Sequence, residues 1–406
     1  MSKSTALSTV FLAVLIDLMG FGIVLPLLPF YASAFKASAV TIGLLYSIYS
    51  FAQLVFSPIW GSLSDRVGRR PIMLMSTAGA ALAYVLFALS RSLSLLFLSR
   101  LMAGVMGGNI STAQAYVADV TTHEDRAKGM GLIGAAFGIG FVLGPALSTL
   151  LVHPQTLEFL HINIQNKFAI PGLFAAFMSL VSFILVLFKL PETVKKSKND
   201  SNQILKTSIF TKKFWLGIFE QKKPGLKNTF PLLILSAFLL SFAQASMYSS
   251  FPLFCKIKLS LSAEKVGMQF VYMGLIAVII QGGLIKSLVR KFGEGKLFLT
   301  GSILMLVGFT LIPFAPSTSL LTIFLSVMAI GASLNGPTLN SLISKEADPQ
   351  AVGRAMGTSQ GIASLGRVLG PTWGGFLFGF SYRLPFLATA AFLSLTIFVG
   401  LKLYQE

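Results

Sequence analysis

Asp17 is the one acid set deep in an apolar run, within LIDLMGFGIVLPLLPFY (15–31). A carboxylate in such surroundings is costly unless it is protonated, paired or facing water. A group that alternates between those settings takes a proton in one and gives it up in another. That is the chemistry of ion coupling. The plainer alternative is a structural ion pair with Arg100, the basic residue of LSRLMAGVMGG (98–108). Arg100 cannot usefully deprotonate, so its roles are tuning Asp17, bracing a helix, or snorkelling to an interface. A second arginine, Arg367, stands inside another apolar run where the matching position of the first half is Phe141. It marks a transport pathway or pairs with a backbone carbonyl. A third concentration of charge is GSLSDRVGRRP (61–71), which breaks two apolar runs.

Other chemistries find little support. Cys255 is the only cysteine, and His123, His153 and His161 fall in expected loops, so no Cys/His set has metal-ligand spacing. No run carries paired acids or a nucleophile–base set, which argues against an enzyme. GAAFGIGFVLGP and GIASLGRVLGP echo a nucleotide loop, but inside apolar runs they read as small-residue helix contacts with a proline kink.

The elements that must position these residues follow from composition. The chain has 406 residues, 54% apolar and only 11% charged, against roughly 25% charged in soluble domains. Apolar stretches near the ~20 residues of a membrane helix recur. They predict twelve spans: 6–30, 40–60, 72–90, 94–118, 128–151, 168–190, 229–254, 264–285, 296–315, 319–342, 352–379 and 383–403. The first run is too long for a cleaved signal and reads as span 1. The expected fold class is an all-α integral membrane protein, because helices satisfy every backbone group internally.

The net charge of +18 is a topology signal rather than a nucleic-acid one. With a cytoplasmic N-terminus, seven Lys and Arg lie on the far side (Lys36, Arg91, Lys167, Lys256, Lys258, Lys265, Arg383) and two inside spans. That leaves 23 of the 32 on the cytoplasmic side. The positive-inside rule then places both termini in the cytoplasm.

The polar stretch 191–228 divides a six-span bundle, 1–190, from another, 229–406. Its Leu205, Ile209, Phe214, Trp215 and Phe219 suit either a surface helix or a plain linker. The halves repeat at a constant offset of 226. Pro26 matches Pro252, Asn109 matches Asn335, Thr112 matches Thr338, and Gly140, Gly144 and Pro145 match Gly366, Gly370 and Pro371. Parallel six-helix repeats suit a rocking transporter.

On these residues the chain resembles the major facilitator superfamily across its length. Gly61, Leu63, Asp65, Arg66, Gly68, Arg69 and Arg70 match that family's motif between spans 2 and 3. The first run with Asp17, the fourth-span stretch with Arg100, YVADVTTHEDRAKG (116–129) and PET (191–193) resemble its drug:proton antiporter branch, near tetracycline and multidrug efflux proteins. Three departures stand out. Ala103 replaces the usual Gln, Ser148–Thr149 closes the fifth-span glycine motif, and no acid occupies the cores of spans 7–12.

The resemblance implies two six-helix bundles acting by alternating access, driven by the proton gradient rather than a cofactor, in a monomer of the bacterial inner membrane. It gives Asp65 a gating role, paired with a basic residue such as Arg126. It implies a cavity lined by spans 1, 4, 7 and 10, here offering Asn109, Thr112, Gln114, Phe242, Gln244, Tyr248, Asn335 and Asn340, with Tyr46, Tyr49 and Gln53 of span 2 joining. The expected activity is proton-coupled efflux of small amphipathic compounds. An importer or exchanger of a metabolite is the alternative, and a non-transporting sensor the alternative of another class.

Overall fold

The computed structural model describes residues 3–122, 126–159, 168–194, 229–347 and 352–404. The interior of the 191–228 stretch, from 195 on, lies outside them, as does the side chain of Arg126. Among the described residues all regular structure is helical. The spans are Lys3–Ala34, Ala39–Val67, Arg69–Ala88, Leu93–Val120, Arg126–Leu151 and Ala169–Lys189, then Phe230–Lys258, Ala263–Phe292, Glu294–Phe314, Thr318–Glu346, Val352–Phe380 and Leu384–Tyr404. Eleven are long and apolar enough to cross a membrane on composition alone; Val352–Phe380 has the length, 29 residues, but carries Gln360, Ser364 and Arg367.

The helices run past the apolar cores read from sequence. The charged stretch 61–71 is therefore almost wholly helical. Gly61–Val67 is the last part of span 2, Arg69 opens span 3, and Gly68 alone joins them. Polar side chains extend helices readily once past the hydrocarbon, since their charged ends reach water there.

Contacts group the chain into two units. The first is Met1–Ala37, Ile48–Asn202 and Leu261–Val271; the second is Ser38–Ser47, Gln203–Ser260 and Tyr272–Glu406. Without a hydrophobic drive between helices in lipid, close approach at small residues holds spans together. In the first unit, spans 1 and 5 meet at Gly22, Gly140 and Gly144: a Cβ on Gly144 would stand 2.6 Å from the Gly22 Cα. In the second, spans 7 and 11 meet likewise, Gly366 lying against the Phe238 carbonyl and Gly370 against that of Phe242. The first unit's core gathers Val14, Met73, Tyr116, Val117 and Val186; the second's gathers Phe230, Phe298, Ile343 and Val399.

Candidate functional site

Span 4 is not one α-helix. It runs as Leu93–Met106, a tight 3₁₀ turn at Gly107–Asn109, then Ile110–Val120. Two consecutive glycines weaken the helix there, each by about 1 kcal/mol relative to Ala. They also let the backbone press on span 2: a Cβ on Gly108 would stand 2.8 Å from Trp60 Cδ1 and 3.0 Å from the Ser57 nitrogen. The matching positions of the second half are Ser333 and Leu334, and there Thr318–Glu346 continues as one helix.

A broken helix at membrane depth needs its carbonyls satisfied. Side chains from three spans do this. Trp60 Nε1 donates to the Val105 carbonyl (2.6 Å), Ser76 Oγ to Met106 (2.7 Å), Gln53 Nε2 to Gly107 (3.0 Å) and Ser111 Oγ to Gly108 (3.0 Å).

The turn ends on Asn109, whose Nδ2 donates to Asp17 Oδ2 at 2.7 Å. The other carboxylate oxygen, Oδ1, is buried with no hydrogen-bond partner among the described residues, and so is Asn109 Oδ1. Both residues line a small cleft with Tyr49, Gln53, Tyr84 and Gly107. In the second half the same asparagine turns elsewhere: Asn335 Nδ2 faces Ser302 Oγ (3.4 Å) and Met305 Sδ (3.3 Å). The position matching Asp17 is Ala243. The repeat keeps the amide and drops the acid.

Arg100 is buried, with its guanidinium 4.8 Å from the Phe87 ring centroid and 5.9 Å from that of Tyr84. The Tyr84 phenol in turn lies on Gly20, where a Cβ would stand 2.5 Å from its oxygen. Aromatic faces attract a desolvated cation. Tyr84 thus stands against span 1 one turn from Asp17, with Arg100 beyond it.

The remaining cavity residues differ in exposure. Thr112 is fully buried, facing the Trp60 carbonyl at 3.5 Å, while Gln114 is exposed. Phe242 packs among Phe238, Trp373 and Phe392. Asn340 and Gln244 are exposed, and Tyr248 and Arg367 half-buried. Arg367 donates to Ser364 Oγ at 2.6 Å.

A second cluster forms where spans 2 and 3 meet. Arg69 pairs with Asp65 (2.5 Å) and with Asp119 at the end of span 4 (3.0 Å), and donates to Ser64 Oγ (2.6 Å). Glu192 caps span 3, accepting from the backbone nitrogens of Arg69 (2.9 Å) and Arg70 (3.1 Å). An acid suits a helix N-terminus because the unpaired N–H groups and the macrodipole both favour negative charge. Thr193 Oγ1 donates to Asp119 Oδ2 (2.9 Å), and Arg70 donates to the Leu187 carbonyl (2.6 Å). Asp119 and Glu192 were not named as site residues from sequence. The signal was present, since each is an acid just past the apolar core of its span. Arg126, expected opposite Asp65, has its side chain outside the described residues.

Twelve helices in two repeated sets, broken at a buried acid–amide pair, are the frame of a membrane transporter rather than of an enzyme. The sequence profile of the Major Facilitator Superfamily matches residues 10–293 and 283–406, and the chain belongs to that family. It is similar to the tetracycline resistance protein, class H, of Pasteurella multocida (26% identity over 394 residues, 94% of this chain and 90% of that one). It is also similar to multidrug resistance protein 2 of Bacillus subtilis (28% over 403 residues, 98% and 92%). Among solved structures it superposes on the human organic anion transporter MFSD10 with a TM-score of 0.70, at 24% identity, covering 98% of this chain and 100% of that one; this likeness speaks to the fold.

Proposed function

We propose that this transporter exports small amphipathic compounds in exchange for protons, with Asp17 as the proton carrier and Asn109 as its positioning residue. The observation that supports it most is the state of the Asp17 carboxylate. One oxygen is held by Asn109, and the other is buried with no donor among the described residues, in a side chain that lines a small cleft. Protonation supplies the missing hydrogen. Asn109 can serve both forms, offering N–H to the carboxylate and, turned over, its carbonyl to the carboxylic acid. An intramembrane acid with such surroundings is functional by default. Relatives named for tetracycline and multidrug resistance favour drugs as cargo.

On this reading the protein is a monomer in a bacterial inner membrane with both termini cytoplasmic, the Lys and Arg bias setting the orientation. The Arg69 cluster holds the junction of spans 2 and 3 shut in one state and releases it in the other. No cofactor takes part.

The test is accumulation of a fluorescent drug in everted vesicles driven by an imposed pH difference. Accumulation that tracks the gradient supports exchange with protons. Uptake indifferent to the gradient removes the coupling, and response to a metabolite alone moves the protein to the exchanger reading.

A further inference from the structure

The two halves share a serine and an asparagine. Ser76 and Asn109 recur at the offset of 226 as Ser302 and Asn335. In the second half these two face each other: Asn335 Nδ2 lies 3.4 Å from Ser302 Oγ, and span 10 is one unbroken helix. In the first half they have parted. Ser76 donates to the Met106 carbonyl at 2.7 Å, and Asn109 donates to Asp17 at 2.7 Å. Several residues of the first half have no counterpart in the second. Gly107 and Gly108 stand where the second half has Ser333 and Leu334, and Asp17 stands where it has Ala243. Trp60 belongs to span 2, and span 8, which repeats span 2, contains no tryptophan.

These residues account for the parting. A 3₁₀ helix advances ~120° per residue against ~100° in an α-helix, so three residues of it turn the chain about 60° further. The turn at Gly107–Asn109 therefore re-aims the residue that ends it. Trp60 fixes that turn from span 2. Its Nε1 donates at 2.6 Å to the carbonyl of Val105, two residues before the turn. Its Cδ1 lies only 2.8 Å from where a Cβ on residue 108 would stand. The Ser57 nitrogen, 3.0 Å from the same point, is helix backbone and has little freedom to yield. Glycine at 108 is what lets the turn seat against span 2.

We infer that Trp60 and Gly108 are positioning residues for Asp17. By fixing the 3₁₀ turn of span 4 they swing Asn109 away from Ser76, the partner its counterpart keeps in the second half, and onto the carboxylate. This deepens the export reading and rests on its choice of Asp17.

The experiment follows the Asp17 carboxyl itself, by infrared spectroscopy of the purified full chain in a neutral detergent with neither drug nor gradient. The band of the protonated carboxyl, assigned by its loss in Asp17→Asn, is titrated with pH. Tyr49 and Tyr84, the other titratable groups that line the cleft, are kept in every variant. Asn109→Ala is expected to move the midpoint by roughly 1–2 pH units, the size of one hydrogen bond to a charged group. Trp60→Phe keeps a ring but loses the donor, and Gly108→Ala forces the turn off span 2. Each should move the midpoint the same way by at least roughly half as much, and neither should move it further in a chain already carrying Asn109→Ala. Trp373→Phe, in span 11, should leave it at the wild-type value.

Thermal unfolding establishes that each variant is folded, and Trp60→Phe carries the test if Gly108→Ala does not fold. A tryptophan that only braces the bundle lowers the unfolding temperature and leaves the midpoint alone. A midpoint unmoved in folded Trp60→Phe, shifts that add in full to that of Asn109→Ala, an Asn109→Ala midpoint equal to wild type, or a carboxyl band that Asp17→Asn does not remove would each overturn the assignment. The two readings fail separately. The export reading falls if drug-triggered proton flux survives Asp17→Asn, and the titration, made without drug, neither needs nor alters that result.

Discussion

Gly68→Ala is expected to destabilise the protein for two separable reasons. Gly68 has φ 116° and ψ 153°, a region that side chains rarely enter and that costs on the order of 1–3 kcal/mol. A Cβ there would also stand 2.7 Å from Glu192 Cδ and closer still to Oε2. The carboxylate must then leave the Arg69 and Arg70 nitrogens it caps. A lost cap costs about 0.5–2 kcal/mol, and the low end applies because Glu192 is exposed and water screens it. Together these give about 1.5–3.5 kcal/mol.

The assay is equilibrium unfolding of the purified chain in mixed micelles, run as a double-mutant cycle with Glu192→Ala. With Glu192 truncated, alanine at 68 meets no carboxylate and only the backbone strain remains. The cycle should show coupling of about 0.5 kcal/mol, the size of the cap that both variants lose. A Gly68→Ala protein within about 0.5 kcal/mol of wild type, or strict additivity, would refute the reasoning, since the first removes the strain and the second the contact.

Three further outcomes follow from the same geometry. Asn109→Leu should strip the Asp17 carboxylate of its donor and lower stability by about 1–3 kcal/mol, read in the same micelles; Asn109→Ser should recover part of it. Gln53→Leu should leave the Gly107 carbonyl unsatisfied, with a similar loss by the same assay. Asp65→Asn should change stability by less than about 1 kcal/mol, because Arg69 keeps Asp119 at 3.0 Å. It should nonetheless slow drug accumulation in everted vesicles, as expected if the Asp65–Arg69 pair forms and breaks during the cycle.

Hydropathy carried much of the architecture, because a bilayer imposes one length and one polarity on every span. All twelve stretches became helices, and Asp17 stood out by the cost of its position alone. Partner choice was less legible. Nothing local to Asn109 says that it turns to Asp17 rather than, as Asn335 does, to the neighbouring span; the difference is made by an acid 92 residues away. The Gly107–Gly108 pair was visible, but not that Trp60, Ser76 and Gln53 would satisfy the turn it opens.

PET had been read only as a mark of resemblance. Its glutamate caps a helix whose first residue lies 123 positions earlier. Spans 2 and 3 run on into 61–71 because hydropathy marks where lipid ends, and a helix does not have to end there.

The most direct measurement of the central claim is proton movement in liposomes holding the purified protein and an internal pH dye. A pH difference is imposed, drug is added, and wild type is compared with Asp17→Asn. The account predicts drug-triggered proton flux in wild type and none above empty liposomes in Asp17→Asn, with that variant folded by its unfolding curve. Equal flux in both proteins would contradict it and take the proton away from Asp17.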